Sequence, residues 1–338
     1  MGSEKLLDVK DLTISFHTFV GEVAAVRNVD FYLKKSEVLA IVGESGSGKS
    51  VSTQAILGLT PIPPGEIKSG KILFKRKDLL KFNENEMSKI CGSRISMIFQ
   101  DPMTSLNPTM KIGNQIREVL HQHTDISRRE SRERAIELMT LVRIPEPEMR
   151  INQYPHELSG GMRQRVMITI AMANRPDILI ADEPTTALDV TVQAQIIELM
   201  KDMQRKTNAA IWLITHDLGV IAETCDKVGV MYAGYIVEFG DVRSIFNWPN
   251  HPYTKGLLKT IPKITKKREK LDVIPGLVPN LITPPSGCRF HPRCKYATDE
   301  CKKNPPPLVE VEKNHFVACH HHEDVKLSVI SKYQQVKS

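Results

Sequence analysis

Gly43-Glu44-Ser45-Gly46-Ser47-Gly48-Lys49-Ser50 is spaced as G-x-x-x-x-G-K-S, the pattern of a phosphate-binding loop. The apolar run Val38-Leu-Ala-Ile-Val42 stands directly before it, and residues 51–57 (Val-Ser-Thr-Gln-Ala-Ile-Leu) follow with helical spacing. The pattern predicts a strand, a curled loop and a helix. Glycines let the backbone turn its N–H groups toward one centre, and the helix N-terminus adds positive potential there. Lys49 is expected to reach terminal phosphates and the Ser50 hydroxyl to ligate Mg²⁺, with Val51 closing the cradle. The competing reading is a Gly/Ser turn that happens to end in Lys-Ser, and the flanking strand and helix weigh against it.

Upstream, residues 6–42 read as strands. Leu6-Leu-Asp-Val and Leu12-Thr-Ile-Ser-Phe16 alternate, as does Ala25-Val-Arg-Asn-Val-Asp-Phe31. Phe16, at a strand end, could stack on an adenine ring or belong to the core, and spacing alone favours the core. Downstream, Pro61-Ile-Pro-Pro-Gly65 is a break, and Gly70–Phe74 and Arg94–Phe99 read as strands. Gln100 ends the second, and the loop Gln100-Asp-Pro-Met-Thr-Ser-Leu-Asn-Pro108 follows. Residues 109–175 are predominantly helical. Ala135, Leu138, Met139 and Val142 make one apolar face behind the charged stretch Ser127–Arg134, which fits an inserted helical subdomain.

Leu158-Ser-Gly-Gly-Met-Arg-Gln164 opens the next helix, residues 166–173. Bare amides at Gly160 and Gly161, with the Ser159 hydroxyl, are either a second phosphate contact or a helix cap. Ile178-Leu-Ile-Ala-Asp-Glu183 is more decisive. Four apolar residues make a buried parallel strand, and two carboxylates stand at its C-terminal end, where doubly wound sheets bind ligands. Asp182 is placed to hold Mg²⁺ and Glu183 to polarise a water; the alternative is an acidic pair capping the next helix. Ile211-Trp-Leu-Ile-Thr-His216 is another buried strand, and His216 could meet a γ-phosphate or be structural. Val228–Tyr232 and Tyr235–Glu238 read as a hairpin across Ala233-Gly234.

The composition sets outer bounds. With 338 residues, 41% of them hydrophobic and 25% charged, the chain reads as a soluble globular protein with room for a large domain and a smaller one. No run approaches the roughly 20 apolar residues of a membrane span, and the first residues lack a signal peptide's apolar core. The net charge of +7 is dispersed apart from the run Lys263–Lys270, which reads as a solvated linker. Cys91 and Cys225 are isolated and read as packing residues.

In this order, the phosphate loop, Gln100, Leu158–Gln164, Asp182-Glu183, Ala187-Leu-Asp189 and His216 resemble the nucleotide-binding subunit of an ATP-binding-cassette (ABC) transporter, over roughly residues 6–255. The resemblance implies an α/β, P-loop NTPase fold: an ABC ATPase core with a parallel sheet, an N-terminal antiparallel β subdomain and a helical subdomain at about 102–172. It implies ATP and Mg²⁺ on residues 43–51, with Ser50, Gln100 and Asp182 at the metal, Glu183, His216 and Gln100 in catalysis, and Phe16 on adenine. Ser159, Gly160 and Gly161 become the signature that binds the ATP of the opposite subunit, and Asp189 joins the dimer interface. Family signatures usually read Leu-Ser-Gly-Gly-Gln. Here Met162 stands in the Gln position, with Gln164 two residues on, which leaves the Ser and Gly donors intact.

Gln100–Pro108, His251-Pro-Tyr-Thr254 and Pro284-Pro-Ser-Gly-Cys-Arg-Phe-His-Pro-Arg-Cys294 look like the dipeptide/oligopeptide importer branch. That likeness implies ATP-driven peptide import from the cytoplasmic face of the cell membrane. The implied partners are two transmembrane permease subunits, a second ATPase subunit, alike or paralogous, and, indirectly, an extracytoplasmic peptide-binding protein. Nucleic acid is not among them. A soluble ABC ATPase acting on nucleic acid or ribosomes is the rival from another class, and one phosphate loop per chain counts against it; a cargo such as nickel is a rival within the class.

Residues 256–338 form a distinct, proline-rich C-terminal domain after a nucleotide-binding domain of residues 1–255. A segment so poor in periodic apolar runs tends to need a staple. Cys288, Cys294, Cys301 and Cys319 can supply one as disulfides, as a zinc site or as iron–sulfur ligands. An intracellular ATPase disfavours disulfides, and tight Cys-x₂₋₄-Cys pairs are absent, but spacing does not choose between the metals. The resemblance does, since some peptide-importer ATPases carry a [4Fe–4S] cluster; Zn²⁺ is the alternative. His320-His-His322 is expected to be a solvated polar tail.

Overall fold

The computed structural model describes residues 4–186, 188–260 and 274–325. Ala187 and the basic run Lys263–Lys270 lie outside the described residues. In chain order the strands and α-helices are β1 (Lys5–Thr18), β2 (Gly21–Lys34), β3 (Val38–Val42), α1 (Lys49–Ile56), β4 (Gly65–Phe74), β5 (Lys77–Asp78), α2 (Glu84–Ile90), β6 (Ile95–Ile98), α3 (Pro102–Ser105), α4 (Ile112–His123), α5 (Arg128–Leu141) and α6 (Pro147–Arg150). They continue with α7 (Gly160–Met172), β7 (Ile178–Asp182), α8 (Val190–Thr207), β8 (Ala210–Ile214), α9 (Leu218–Thr224), β9 (Lys227–Tyr232), β10 (Tyr235–Asp241), α10 (Val242–Asn247), α11 (Pro252–Lys259), α12 (Asp299–Lys303), β11 (Val309–Glu312) and β12 (His315–Val317).

The chain divides into two compact units, each drawn from separated stretches. The first holds residues 1–5, 33–38 and 81–215. Its parallel strands run in the order β8-β7-β6, with Ile180 opposite Trp212 and Met97. Every residue of β7 and β8 is buried, which explains why both read as unbroken apolar runs instead of alternating ones. α7 packs on β6, and α4 and α5 pack on α7 and on each other. The apolar face expected on α5 is present: Ala135, Leu138, Met139 and Val142 are all buried. Ser127 starts α5 through a capping box with Glu130, each side chain bonding the other's backbone N–H.

The second unit holds residues 6–32, 39–80 and 216–338. One sheet is antiparallel, ordered β2-β1-β4-β5; the other runs β11-β12-β10-β9-β3, with β3 parallel to β9 and the remaining pairs antiparallel. The two alternating segments expected at residues 6–16 are one strand, β1, interrupted by a register shift between Lys10 and Thr13 where Asp11 takes a left-handed φ of 47°. The β9–β10 hairpin turns at Ala233-Gly234 as expected. Its free edge is not left bare: β12 of the C-terminal segment pairs with β10, covering it.

A buried carboxylate fastens that added strand. Glu238 on β10 is fully buried and accepts from the N–H groups of Asn250 and His251, while its Oε1 lies 2.8 Å from His315 Nε2 on β12. His251 packs on Phe290, which forms an aromatic cluster with Tyr232 and Tyr253, centroids 4.6–5.5 Å apart. The C-terminal cysteine segment therefore shares a core with β9 and β10.

Candidate nucleotide site

The second unit carries the phosphate loop. β3, buried at every position, delivers the chain to Gly43, and α1 begins at Lys49. Gly48 takes φ 105°, and a Cβ there would stand 2.4 Å from the Ala25 carbonyl oxygen. At Gly43 a Cβ would meet the Met231 carbonyl at 2.0 Å. Both positions admit only glycine, the first by conformation and the second by space. Lys49 Nζ arches back to donate to the carbonyls of Gly43 at 2.8 Å and Glu44 at 3.0 Å, and to Ser47 Oγ at 3.3 Å. Ser47 also ties the loop to the hairpin, its carbonyl accepting the Gly234 N–H at 3.0 Å. Ser45, Gly46 (φ 76°), Ser50 and Val51 complete the curve, with Ser50 exposed at the start of α1.

Phe16 is half-buried near the end of β1, opposite Gly65 of β4. His216 is exposed two residues after β8, just ahead of Asp217, which caps α9 by accepting from Gly219 and Val220.

The carboxylates belong to the first unit. Asp182 ends β7 in register with Ile214 and is only 7% exposed. Glu183 follows in a left-handed conformation, φ 46°, with its N–H bound to the Ile214 carbonyl at 2.9 Å. A non-glycine residue there carries backbone strain, which concentrates at functional positions. Gln100 Nε2 and Thr186 Oγ1 both donate to Glu183 Oε2, at 2.9 and 3.0 Å. Thr186 is a partner that sequence reasoning missed, and its signal was its place three residues after Glu183, in the turn leaving β7.

Ser159 is the N-cap of α7, its Oγ accepting from the Met162 N–H at 3.4 Å. Gly160 has open space beside it, its nearest neighbour being Leu188 at 3.9 Å from a built Cβ, whereas Gly161 lies against Val192. Gln164 is buried inside α7 at 2% exposure, so it does not stand in for the signature glutamine. Asp189 is exposed and caps α8 through the Val192 N–H at 3.0 Å.

Cys288, Cys294, Cys301 and Cys319 are drawn together from a span of 32 positions. Cys288 N–H bonds the Cys301 carbonyl at 2.8 Å, and the Cys319 sulfur feels those of Cys294, Cys288 and Cys301. Burial pushes the Cys288 thiol up to about 11 and the Cys319 thiol up to about 12. N–H groups of Phe290 and His291 are directed at the Cys288 sulfur, that of Tyr296 at Cys294 and that of His321 at Cys319. Amides aimed at sulfur stabilise thiolates and so suit metal ligands. Among the described residues no three His, Cys, Asp or Glu side chains are placed to hold a metal ion. The expected solvated tail is otherwise: His320 Nε2 bonds the Asn304 carbonyl at 3.0 Å and His321 Nε2 bonds Thr298 Oγ1 at 3.1 Å, because the chain folds back over α12.

A match to the family "ABC transporter" covers residues 26–186, and one to "Oligopeptide/dipeptide transporter, C-terminal region" covers residues 237–301. The oligopeptide transport ATP-binding protein OppD of Bacillus subtilis (strain 168) is 58% identical across 93% of this chain and 88% of its own length. The chain belongs to the ABC transporter ATP-binding protein family. The dipeptide transport ATP-binding protein DppD of Lactococcus lactis subsp. cremoris (strain MG1363) is 53% identical across 94% of this chain and 90% of its own. Among solved structures, a dimeric ATP-binding cassette in a post-hydrolysis state, bound to ADP and Pi, superposes with a TM-score of 0.63 at 27% identity, covering 70% of this chain and 99% of that one. The fold of this ABC protein is thus the α/β P-loop NTPase fold. No helix among the described residues is long and apolar enough to cross a membrane.

Proposed function

We propose that this ABC protein is the ATP-hydrolysing subunit of a di- or oligopeptide importer. The observation that carries the reading is the 58% identity to an oligopeptide transport ATP-binding protein over nearly the whole chain. Residues 43–51 hold the triphosphate, Lys49 and the loop amides offset its charge, and Phe16 stacks on the base. Ser50, Gln100 and Asp182 hold Mg²⁺, which when bound neutralises developing phosphate charge. A serine hydroxyl, an amide oxygen and a nearly buried carboxylate are the hard oxygen donors that ion prefers. Glu183, held by Gln100 and Thr186, orients and deprotonates the attacking water, and His216 faces the γ-phosphate.

Ser159, Gly160 and Gly161 complete the site of a second ATPase subunit, and Asp189 lies at that interface. ATP favours the closed pair and hydrolysis releases it. The pair sits on two permease subunits at the cytoplasmic face of the membrane and is served indirectly by an extracytoplasmic peptide-binding protein. Residues 1–255 are the nucleotide-binding domain, with a helical subdomain at about 102–172, and 256–338 the extension. Co-expression with permease subunits tests this. Membrane partitioning and peptide uptake that depend on the chain support it, and ATPase activity with uptake of another cargo instead overturns the peptide assignment.

The four cysteines are assigned to a [4Fe–4S] cluster acting as a brace, with Zn²⁺ as the alternative. Four clustered thiols, three of them receiving amides, support thiolate ligation, and donors around a cluster stand farther apart than around one ion. Anaerobically purified protein should be brown, absorb near about 400 nm and contain iron; a colourless, zinc-loaded preparation removes the cluster.

A further inference from the structure

Glu44 is the one acidic residue of the loop 43–50, a carboxylate set where a triphosphate is to bind. Unpaired, it would repel the ligand. Arg293, 249 positions away, grips it with both prongs: Nη1 donates to Oε2 at 2.7 Å and Nη2 to Oε1 at 3.1 Å. The arginine side chain is 6% exposed and the glutamate 26%. Arg293 is oriented from behind, its Nε donating to the Pro275 carbonyl at 2.9 Å, Nη1 reaching the Tyr232 hydroxyl at 3.3 Å, and its guanidinium lying 6.0 Å from the Phe290 ring. A planar fork fixed in this way matches a carboxylate in a manner an ammonium cannot.

Glu44 is anchored at its backbone as well. Its N–H donates to the Tyr253 hydroxyl at 3.0 Å, and its carbonyl accepts from Lys49 Nζ at 3.0 Å. The residue held by Arg293 therefore also sets where Lys49 rests. Arg293 immediately precedes Cys294, in the short turn His291–Arg293 that follows Cys288.

We infer that Arg293 is a positioning residue for nucleotide: its two-pronged hold on Glu44 cancels the loop's own negative charge, sets the loop, and links nucleotide occupancy to the four-cysteine segment. This rests on the reading of residues 43–50 as the ATP site. By reciprocity, a link of this kind works in both directions.

The test uses the full chain, labelled ATP and Mg²⁺. Arg293→Ala should raise Kd about tenfold or more, Arg293→Lys should fall between it and the parent, and Arg293→Ala combined with Glu44→Gln should regain most of the loss, since no unpaired carboxylate remains. Hydrogen exchange of residues 288–294 should slow on adding Mg–ATP to the parent and not to Glu44→Gln, which keeps Arg293 packed. If Arg293→Ala does not fold, as judged by circular dichroism, that exchange comparison decides alone. An Arg293→Ala variant that binds within about twofold of the parent, a double variant as weak as Arg293→Ala, or equal exchange in Glu44→Gln overturns the inference. A parent that does not bind Mg–ATP overturns instead the reading of the loop on which it rests.

Discussion

Gln100 Nε2 lies 2.9 Å from Glu183 Oε2, so a residue two positions after β6 holds the carboxylate directly after β7. Thr186 Oγ1 donates to the same oxygen at 3.0 Å. A general base must be both within reach and oriented, and in the role proposed for Glu183 these two donors would supply the orientation.

Glu183→Gln is accordingly expected to retain Mg–ATP and to lose turnover by about 10²–10⁴-fold, the usual worth of a positioned base. Steady-state phosphate release together with nucleotide binding checks it; near-normal hydrolysis would strip Glu183 of the role. Gln100→Ala leaves the base in place but less constrained, so its loss of kcat should be smaller.

Lys49→Ala removes three contacts inside the loop as well as the charge meant for the phosphates. Hydrogen bonds to charged groups contribute about 1.5–3 kcal/mol, so retention of labelled ATP should weaken about 10–100-fold. Equal retention by the variant would end the phosphate-loop reading.

Glu238→Ala leaves the Asn250 and His251 amides and the His315 ring without their buried acceptor. Breaking one side of a buried charged network costs about 3–5 kcal/mol. Thermal unfolding should show a large drop in Tm, and limited proteolysis should release the β11–β12 segment first.

His251 caps α11, its Nδ1 accepting the Tyr253 N–H at 3.0 Å, and complete burial pulls its pKa down to about 3. The folded ring stays neutral while the unfolded one, at an ordinary value near 6.5, takes a proton. Stability is therefore full above about pH 6.5 and falls as pH drops from there toward 3, by up to about 1.4 kcal/mol per unit. Denaturant titrations between pH 7 and 4 check the slope, and His251→Asn, which retains a capping acceptor, should flatten it.

The sequence alone determined the parts whose physics is local. The apolar run 38–42, the glycine spacing of 43–50, the acidic end of β7 and the periodic face of α5 each specify backbone geometry within a few residues, and each appears where it was read. Two readings were blurred for local reasons too: one bulged strand looked like two, and an edge-covering β12 of three residues is too short to show a period. Tertiary structure decided what pairs across distance. Arg293 on Glu44, Thr186 beside Gln100 on one oxygen, Glu238 under His315, and the histidines folded back over α12 join residues whose separation in the chain carries no pattern. Their meeting is settled by which surfaces the core buries and which buried charges must then be satisfied.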